Sequence, residues 1–198
     1  VEDKNIGIGS VTTPTNSTAS GGGLTLFGGA DGDKEFKWID SSAVDYWNLT
    51  GGFLYAGEGL NTRKMLREGV NVGGATLNSA STLDLELGMV HYRTANLGAS
   101  ITPNVRYSSS KTLNATMSIG EGITLTIITA VNNAAYYANG LAIDGNNNGQ
   151  NSYVISTNWI GGSAPSDGGT AGVDIYTFNI IKTANATFTV IGNQTKTS

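Results

Sequence analysis

Cysteine is absent from this chain of 198 residues. Neither a disulfide nor a thiolate metal site can hold the fold, so stability has to come from burial and association. Histidine occurs once, at His91, in the stretch GMVHYRT, where it alternates with its neighbours as an ordinary strand residue would. No G-x-S-x-G elbow accompanies it, so no nucleophilic triad and no common zinc set is legible. Charge is scarce too: Asp, Glu, Lys and Arg make up 13% of the residues, with a net charge of −4 and no block of Lys or Arg. That argues against a nucleic-acid surface and against an anionic membrane face. No apolar run approaches the length of a membrane span. The opening VEDKNIGIGS has neither the basic start nor the apolar core of a signal peptide. Lacking an initiator Met, it reads as a mature product or a piece of something longer.

What the chain does have is glycine, threonine, asparagine and serine, which together supply a little under half of it. Threonine is stiff at χ1, and Asn and Ser compete for backbone hydrogen bonds, so this mixture disfavours helices and suits short strands with many turns. With 39% hydrophobic residues in patterned positions, the chain has the means to build a core.

Four regions are expected. Residues 1–23 form a polar, glycine-rich linker or stalk, with brief alternation around Ile6, Ile8 and Val11. Residues 24–60 form a small β module holding two of the three tryptophans, with Leu24, Leu26, Phe36 and Trp38 alternating around the turn-like GGADGDK. Residues 61–75 are a connector with one possible helical turn at TRKMLRE. Residues 76–198 alternate repeatedly: Leu83, Leu85 and Leu87; Ile101, Val105 and Tyr107; Leu113, Ala115, Met117 and Ile119; Ile123, Leu125 and Ile127. Turn signals such as NLGAS, IGEG and DGNNNG separate them, while VNNAAYYANG (131–140) could be a helical turn. The pattern predicts an all-β chain, an antiparallel β-sandwich of jelly-roll type preceded by the small β module.

Near the C-terminus, VDIYTFNII and ATFTVIGNQT, joined by KTAN, read as a hairpin. Val173 and Ile175 on one parity and Tyr176 and Phe178 on the other suit a central strand, or one whose second face meets another subunit. The preceding GGSAPSDGG (161–169) reads as a crossover between sheets, anchored by a mostly buried Trp159.

DGNNNG (144–149) imitates the front half of a calcium loop through Asp144, Asn146 and Asn148, but Ile155 stands where the bidentate Glu belongs. The loop therefore reads as a turn, and no metal or cofactor is expected. Exposed aromatics beside amides are a usual platform for sugars, and Tyr136, Tyr137 and Tyr153 flank Asn146, Asn147 and Asn148; these six are the candidate receptor-binding residues. No catalytic residue is assigned, and the chain is not expected to be an enzyme. The aromatics of 24–60 exceed what so short a module can cover alone, and the strands over 173–190 are apolar on both faces, which predicts closed self-association with Trp38 and Trp47 at or near the subunit contacts.

The stretch LDLELGMVHYRTANLGASITPNVRYSSSKTLNATMSIGEGITLTIITA, followed by WIGGSAPSDGGTAGVDIYTFNIIKTANATFTVIGNQT, resembles the C-terminal module of virion structural and tail-fibre-like proteins of marine tailed phages, cyanophages above all. The upstream IGIGS and GGLTLFGGADGDKEFKWIDSSAVDYWNLTGG resembles the fibre modules that precede it. The resemblance implies an external virion part, a homotrimer with a closed ring as the general alternative, that contacts other virion proteins and a host-surface glycan or outer-membrane receptor. The alternative it leaves open is a purely architectural part, such as a head decoration, collar or tail component.

Overall fold

A computed structural model describes residues 12–52, 54–57 and 59–197, and the protein is all-β, with several sheets and two helical turns. The alternation expected around Ile6, Ile8 and Val11 lies outside the described residues. The chain divides into two units, Val1–Lys64 and Met65–Ser198.

In the first unit, α1 (Asn16–Ala19) is a single turn closed by a capping box in which Thr15 and Thr18 satisfy each other's backbone. Strands β1 (Gly23–Leu26), β2 (Lys34–Ile39) and β3 (Tyr46–Thr50) follow in a three-stranded antiparallel meander. Leu24 pairs with Phe36 and Phe36 with Leu49, while Trp38 pairs with Trp47. Directly opposed residues share a face. One face is therefore apolar, and the other carries Glu35, Lys37 and Asn48.

The second unit begins earlier than expected. TRKMLRE forms no helix, and the end of the supposed connector is strand β4 (Val70–Gly73), where Val70 and Val72 alternate. The remaining elements are β5 (Thr82–Asp84), β6 (Val90–Asn96), β7 (Asn104–Arg106), α2 (Leu113–Thr116), β8 (Gly122–Ala130), β9 (Ala142–Ile143), β10 (Val154–Trp159), β11 (Val173–Ala184) and β12 (Thr187–Lys196). They form a six-stranded sheet in the order β10-β12-β11-β8-β6-β4 and a three-stranded sheet in the order β5-β7-β9.

The expected antiparallel pairing holds in this unit only for β11 with β12 and with β8. β4, β6 and β8 run parallel, as do β5, β7 and β9, and β10 lies parallel to β12. The reason is the winding. From β4 to β10 every successive strand lies in the other sheet, so a strand returns to its own sheet only after a full circuit and pointing the same way. Side-chain alternation reports which face of a strand is buried; it does not report the direction of its neighbour.

Both sheets feed one core. Leu83, Val105 and Ile143 of the small sheet join Leu125, Ile127, Tyr176, Phe178, Ile180, Phe188 and Val190 of the large one in a single buried cluster. The outward parity of the large sheet carries Val70, Val72, Val90, Thr124, Thr126, Ile175, Thr189 and Ile191, and none of its outward strand positions holds a charge. As anticipated, β11 is central, with its apolar outward residues Val173 and Ile175 half-buried.

Two runs depart from the expected strands. Leu83 and Leu85 are buried, but the chain turns through a short 3₁₀ segment at Leu85–Leu87 and leaves Leu87 exposed. Leu113 and Met117 are buried from helical spacing, because Thr112 caps α2 through the Ala115 amide and the Asp144 carboxylate accepts from the amides of Leu113 and Asn114. The buried Lys182 ammonium donates to the carbonyls of Asn114 and Met117, fastening the same turn to β11. The 131–140 segment forms no helix either.

His91, on β6, is fully buried among these strands. Arg93 approaches its Nδ1 at 3.5 Å and donates to Asn71, and a side chain at Gly73 would meet the Arg93 guanidinium. The His91 Nε2 makes no hydrogen bond of ordinary geometry among the described residues. Burial, and then the Arg93 charge, push its pKa down to about 4, against weaker contributions from the Gly88 backbone and Asp84. The folded state therefore holds this imidazole neutral while the unfolded chain would protonate it near pH 6.5. Its contribution to stability is full above pH 6.5 and is lost as pH falls towards 4.

Comparison of wild type with His91→Gln by urea unfolding should show this directly. The stability difference between them should move by on the order of 2–3 kcal/mol in the variant's favour between pH 7 and pH 4. A pH-independent difference would contradict the assignment.

Candidate functional site

The winding stacks three turns at one end of the small sheet: residues 74–81, 97–103 and 131–141. The second and third are tied side by side, since Ile101 bridges Ala138, the Ser100 hydroxyl donates to the Ala135 carbonyl, and Thr102 donates to Asn139 Oδ1 at 3.0 Å. Across the outward side of the same sheet, Asn104 donates to Thr82 at 3.0 Å and Arg106 pairs with Asp84 at 2.6 Å. Parallel in-register strands place these partners directly beside each other.

A furrow runs over this surface. Its first part is a cleft of about 620 Å³, walled by Thr157 and Trp159 of β10, by Thr102 and Asn139, and by Asn147 and Asn148, with the buried Leu141 and Ile155 as apolar lining. Gly162, Ser163 and Ala164 form its rim. A second cleft of about 360 Å³ shares Thr102, Asn139 and Asn147 with the first and continues past Ser79, Ser100 and Asn104. A third, also about 360 Å³, shares Thr82, Asn104 and Gly145 with the second and ends among Arg106, Lys111 and Asp144. The first two clefts are lined without a charged side chain.

Their chemistry is that of amides and hydroxyls around one indole. Asn139 Oδ1 accepts from Thr102, and Asn148 Oδ1 accepts from the Ile155 amide at 2.9 Å. Each carbonyl is thus fixed inside the protein, which leaves the Nδ2 of each as a donor for a ligand. Trp159 is mostly covered and packs against the core, as expected. Its ring packs edge-to-face on Phe178 at 5.7 Å and lies over Gly192, where a Cβ would come within 2.9 Å of it. Gly192 is thus the residue that lets the indole lie across the middle of β12.

Of the six candidate receptor residues, the furrow brings together Asn147 and Asn148. Asn146 is buried, with its amide spent on the Asp144 carbonyl and on Asn151. Tyr153 stacks near Phe188 at 6.4 Å and donates to Asp144 at 3.1 Å; burial and then the Asp144 charge raise its phenol to about 12. Tyr136 and Tyr137 are half-buried and line none of the three clefts. The would-be calcium ligands are likewise committed, with Asp144 holding α2 and Tyr153, and Asn148 holding Ile155. Among the described residues no cluster of three or more His, Asp or Glu side chains is placed to hold a metal.

Thr102, Asn139 and Trp159 were not among the sequence candidates. The only signal for the first two was the spacing of turn residues, which gives meaning to a stacked turn only once the parallel winding is known.

The loop at 161–169 has two jobs. It does not pass between sheets: it joins β10 to β11 of one sheet, across β12. Its first half rims the furrow, whereas its second half is clasped. The wholly buried Asp174 carboxylate accepts from the Gly169 amide (3.1 Å), the Tyr176 hydroxyl (3.1 Å) and Gln194 Nε2 (3.0 Å). Tyr176 accepts in turn from the Ala138 amide at 3.0 Å, and burial pushes its phenol above the ordinary range. Gly168 is required here by contact, since a Cβ would fall 2.3 Å from the Tyr136 carbonyl. Outside the clasp, Asp167 pairs with Lys196 at 2.8 Å.

Asp174→Ala would strand the buried donors of Gly169 and Tyr176, while Gln194 keeps the Asp167 carbonyl, and should lower stability by about 3 kcal/mol. Hydrogen exchange should quicken at Gly168 and Gly169 while α2 keeps its protection; unchanged exchange in the loop would contradict the clasp. No family model matches the chain, and no curated protein or solved structure matches it either.

Proposed function

We propose that this chain is a tail-fibre or appendage component of a phage particle, external on the virion, which attaches to the host surface through the furrow. The observation that carries the reading is the uncharged lining of the first two clefts, where an indole stands among exposed amides and hydroxyls. An aromatic face takes the C–H side of a pyranose, and Asn side chains bond its hydroxyls, so a neutral glycan is the receptor class that this surface suits. A phosphate or sialic acid would find no cation there. Arg106 and Lys111 enter only at the far end. The ordered words GGSAPSDGG, GVDIY, IIKT and ATFTV support the virion setting by resemblance.

A second reading has its own support. The uncharged Thr, Val and Ile surface of the large sheet suits a purely architectural part packed against other virion proteins, such as a head decoration, collar or tail component.

Adsorption competition separates the two. Purified protein added to host cells should reduce phage adsorption, and Asn139→Ala and Asn147→Ala should each raise the half-effective concentration roughly tenfold, about 1.4 kcal/mol of binding. Asp167→Ala, whose carboxylate faces Lys196 instead, should compete like wild type. Failure of the wild-type protein to compete, with the chain still found in the particle, would favour the architectural reading.

A further inference from the structure

The first unit contains no buried residue among those described. Its meander nevertheless has one wholly apolar ladder, in which Phe36 stacks on Trp47 at 4.8 Å and Trp38 meets Trp47 edge-on at 5.6 Å. Leu24, Leu26 and Leu49 extend the ladder to both edge strands, with exposures of 60%, 70% and 41%. The acidic and basic groups of β2 are elsewhere: Glu35 and Lys37 pair with each other on the opposite face, at 2.5 Å. Lys34 alone lies beside the ladder, and its ammonium is turned back onto the carbonyls of Asp31 and Gly32.

A three-stranded sheet with an open apolar face is at the margin of independent stability, and needs that face packed. We propose that this face is an interface between copies of this chain, closed around a symmetry axis. Two features select a copy of the same chain as the occupant. The face carries one charge, the Lys34 ammonium opposite Leu26, already engaged by the carbonyls of the preceding turn, and so offers little with which to discriminate a foreign partner, whereas it is complementary in polarity to itself. At roughly 200 Å² for a large apolar side chain, the open fractions amount to roughly 600 Å² per copy. Two such faces meet the roughly 1,200 Å² at which specific interfaces begin.

Leu24 is largely exposed within one copy, so replacing it leaves the intrachain packing intact, whereas replacing Trp47 also removes its contacts with Phe36 and Trp38. Sedimentation equilibrium of the full chain at micromolar concentration should give a mass at least twice 20.5 kDa. Trp47→Asp, and independently Leu24→Lys on the opposite edge strand, should weaken self-association at least a hundredfold and give monomers under the same conditions. Asn48→Asp, on the polar face, should leave the mass unchanged, and circular dichroism of each variant should retain the wild-type β signal. A wild-type monomer, or an assembly whose mass survives both apolar-face substitutions in folded protein, would overturn the proposal.

Discussion

Everything in the larger unit depends on one constraint: from β4 to β10 the chain may not place two successive strands in the same sheet. Each circuit lays one apolar segment against the core from either side, so Val105 and Ile143 face the region that Leu125 and Ile127 fill from the other sheet. Without disulfides, this interleaving is what fastens the sheets together, because neither sheet can separate without unwinding the strands of the other. The antiparallel pair β11 and β12 then closes the large sheet and brings in Tyr176, Phe178, Phe188 and Val190, the heaviest part of the core.

The same winding makes the furrow. Parallel coils stack equivalent turns, and turns rich in Asn, Ser and Thr then present a continuous line of amides and hydroxyls without a charged residue among them. Trp159 ends that line because β10 sits at the outer edge of the large sheet, with its ring supported by Gly192 on one side and Phe178 at its edge. Buried polar groups set the loops around it. Asp174 ties the 161–169 loop, and Asp144 ties α2 and Tyr153, so two carboxylates that a sequence reader would weigh as ligands act as braces.

Strand positions were legible wherever two-residue alternation was strong. Leu125, Ile127, Tyr176, Phe178, Ile180, Phe188 and Val190 all lie on the parity expected, and the terminal hairpin forms, although it turns at Asn185 and Ala186 and takes Lys182, Thr183 and Ala184 of the expected link into β11. Alternation failed at Leu113 and Met117, because four-residue helical spacing and two-residue strand spacing coincide there, and only the distant Asp144 decides between them. Strand direction was not legible at all, since apolar periodicity is the same in a parallel and an antiparallel neighbour. The candidate site inherited that loss: Asn147 and Asn148 were found from their local loop, whereas Thr102 and Asn139 come together only through the coil. The tyrosines misled because their polar ends find partners inside the protein, as with Tyr153 on Asp144.

The furrow's proposed binding of neutral sugars is tested most directly by an amide and side-chain chemical-shift titration with neutral oligosaccharides. The account predicts saturable shifts confined to the side-chain amides of Asn139, Asn147 and Asn148 and to the Trp159 indole, with none on the outward face of the large sheet. Shifts absent at saturating sugar, or centred on Tyr136 and Tyr137 instead, would contradict it.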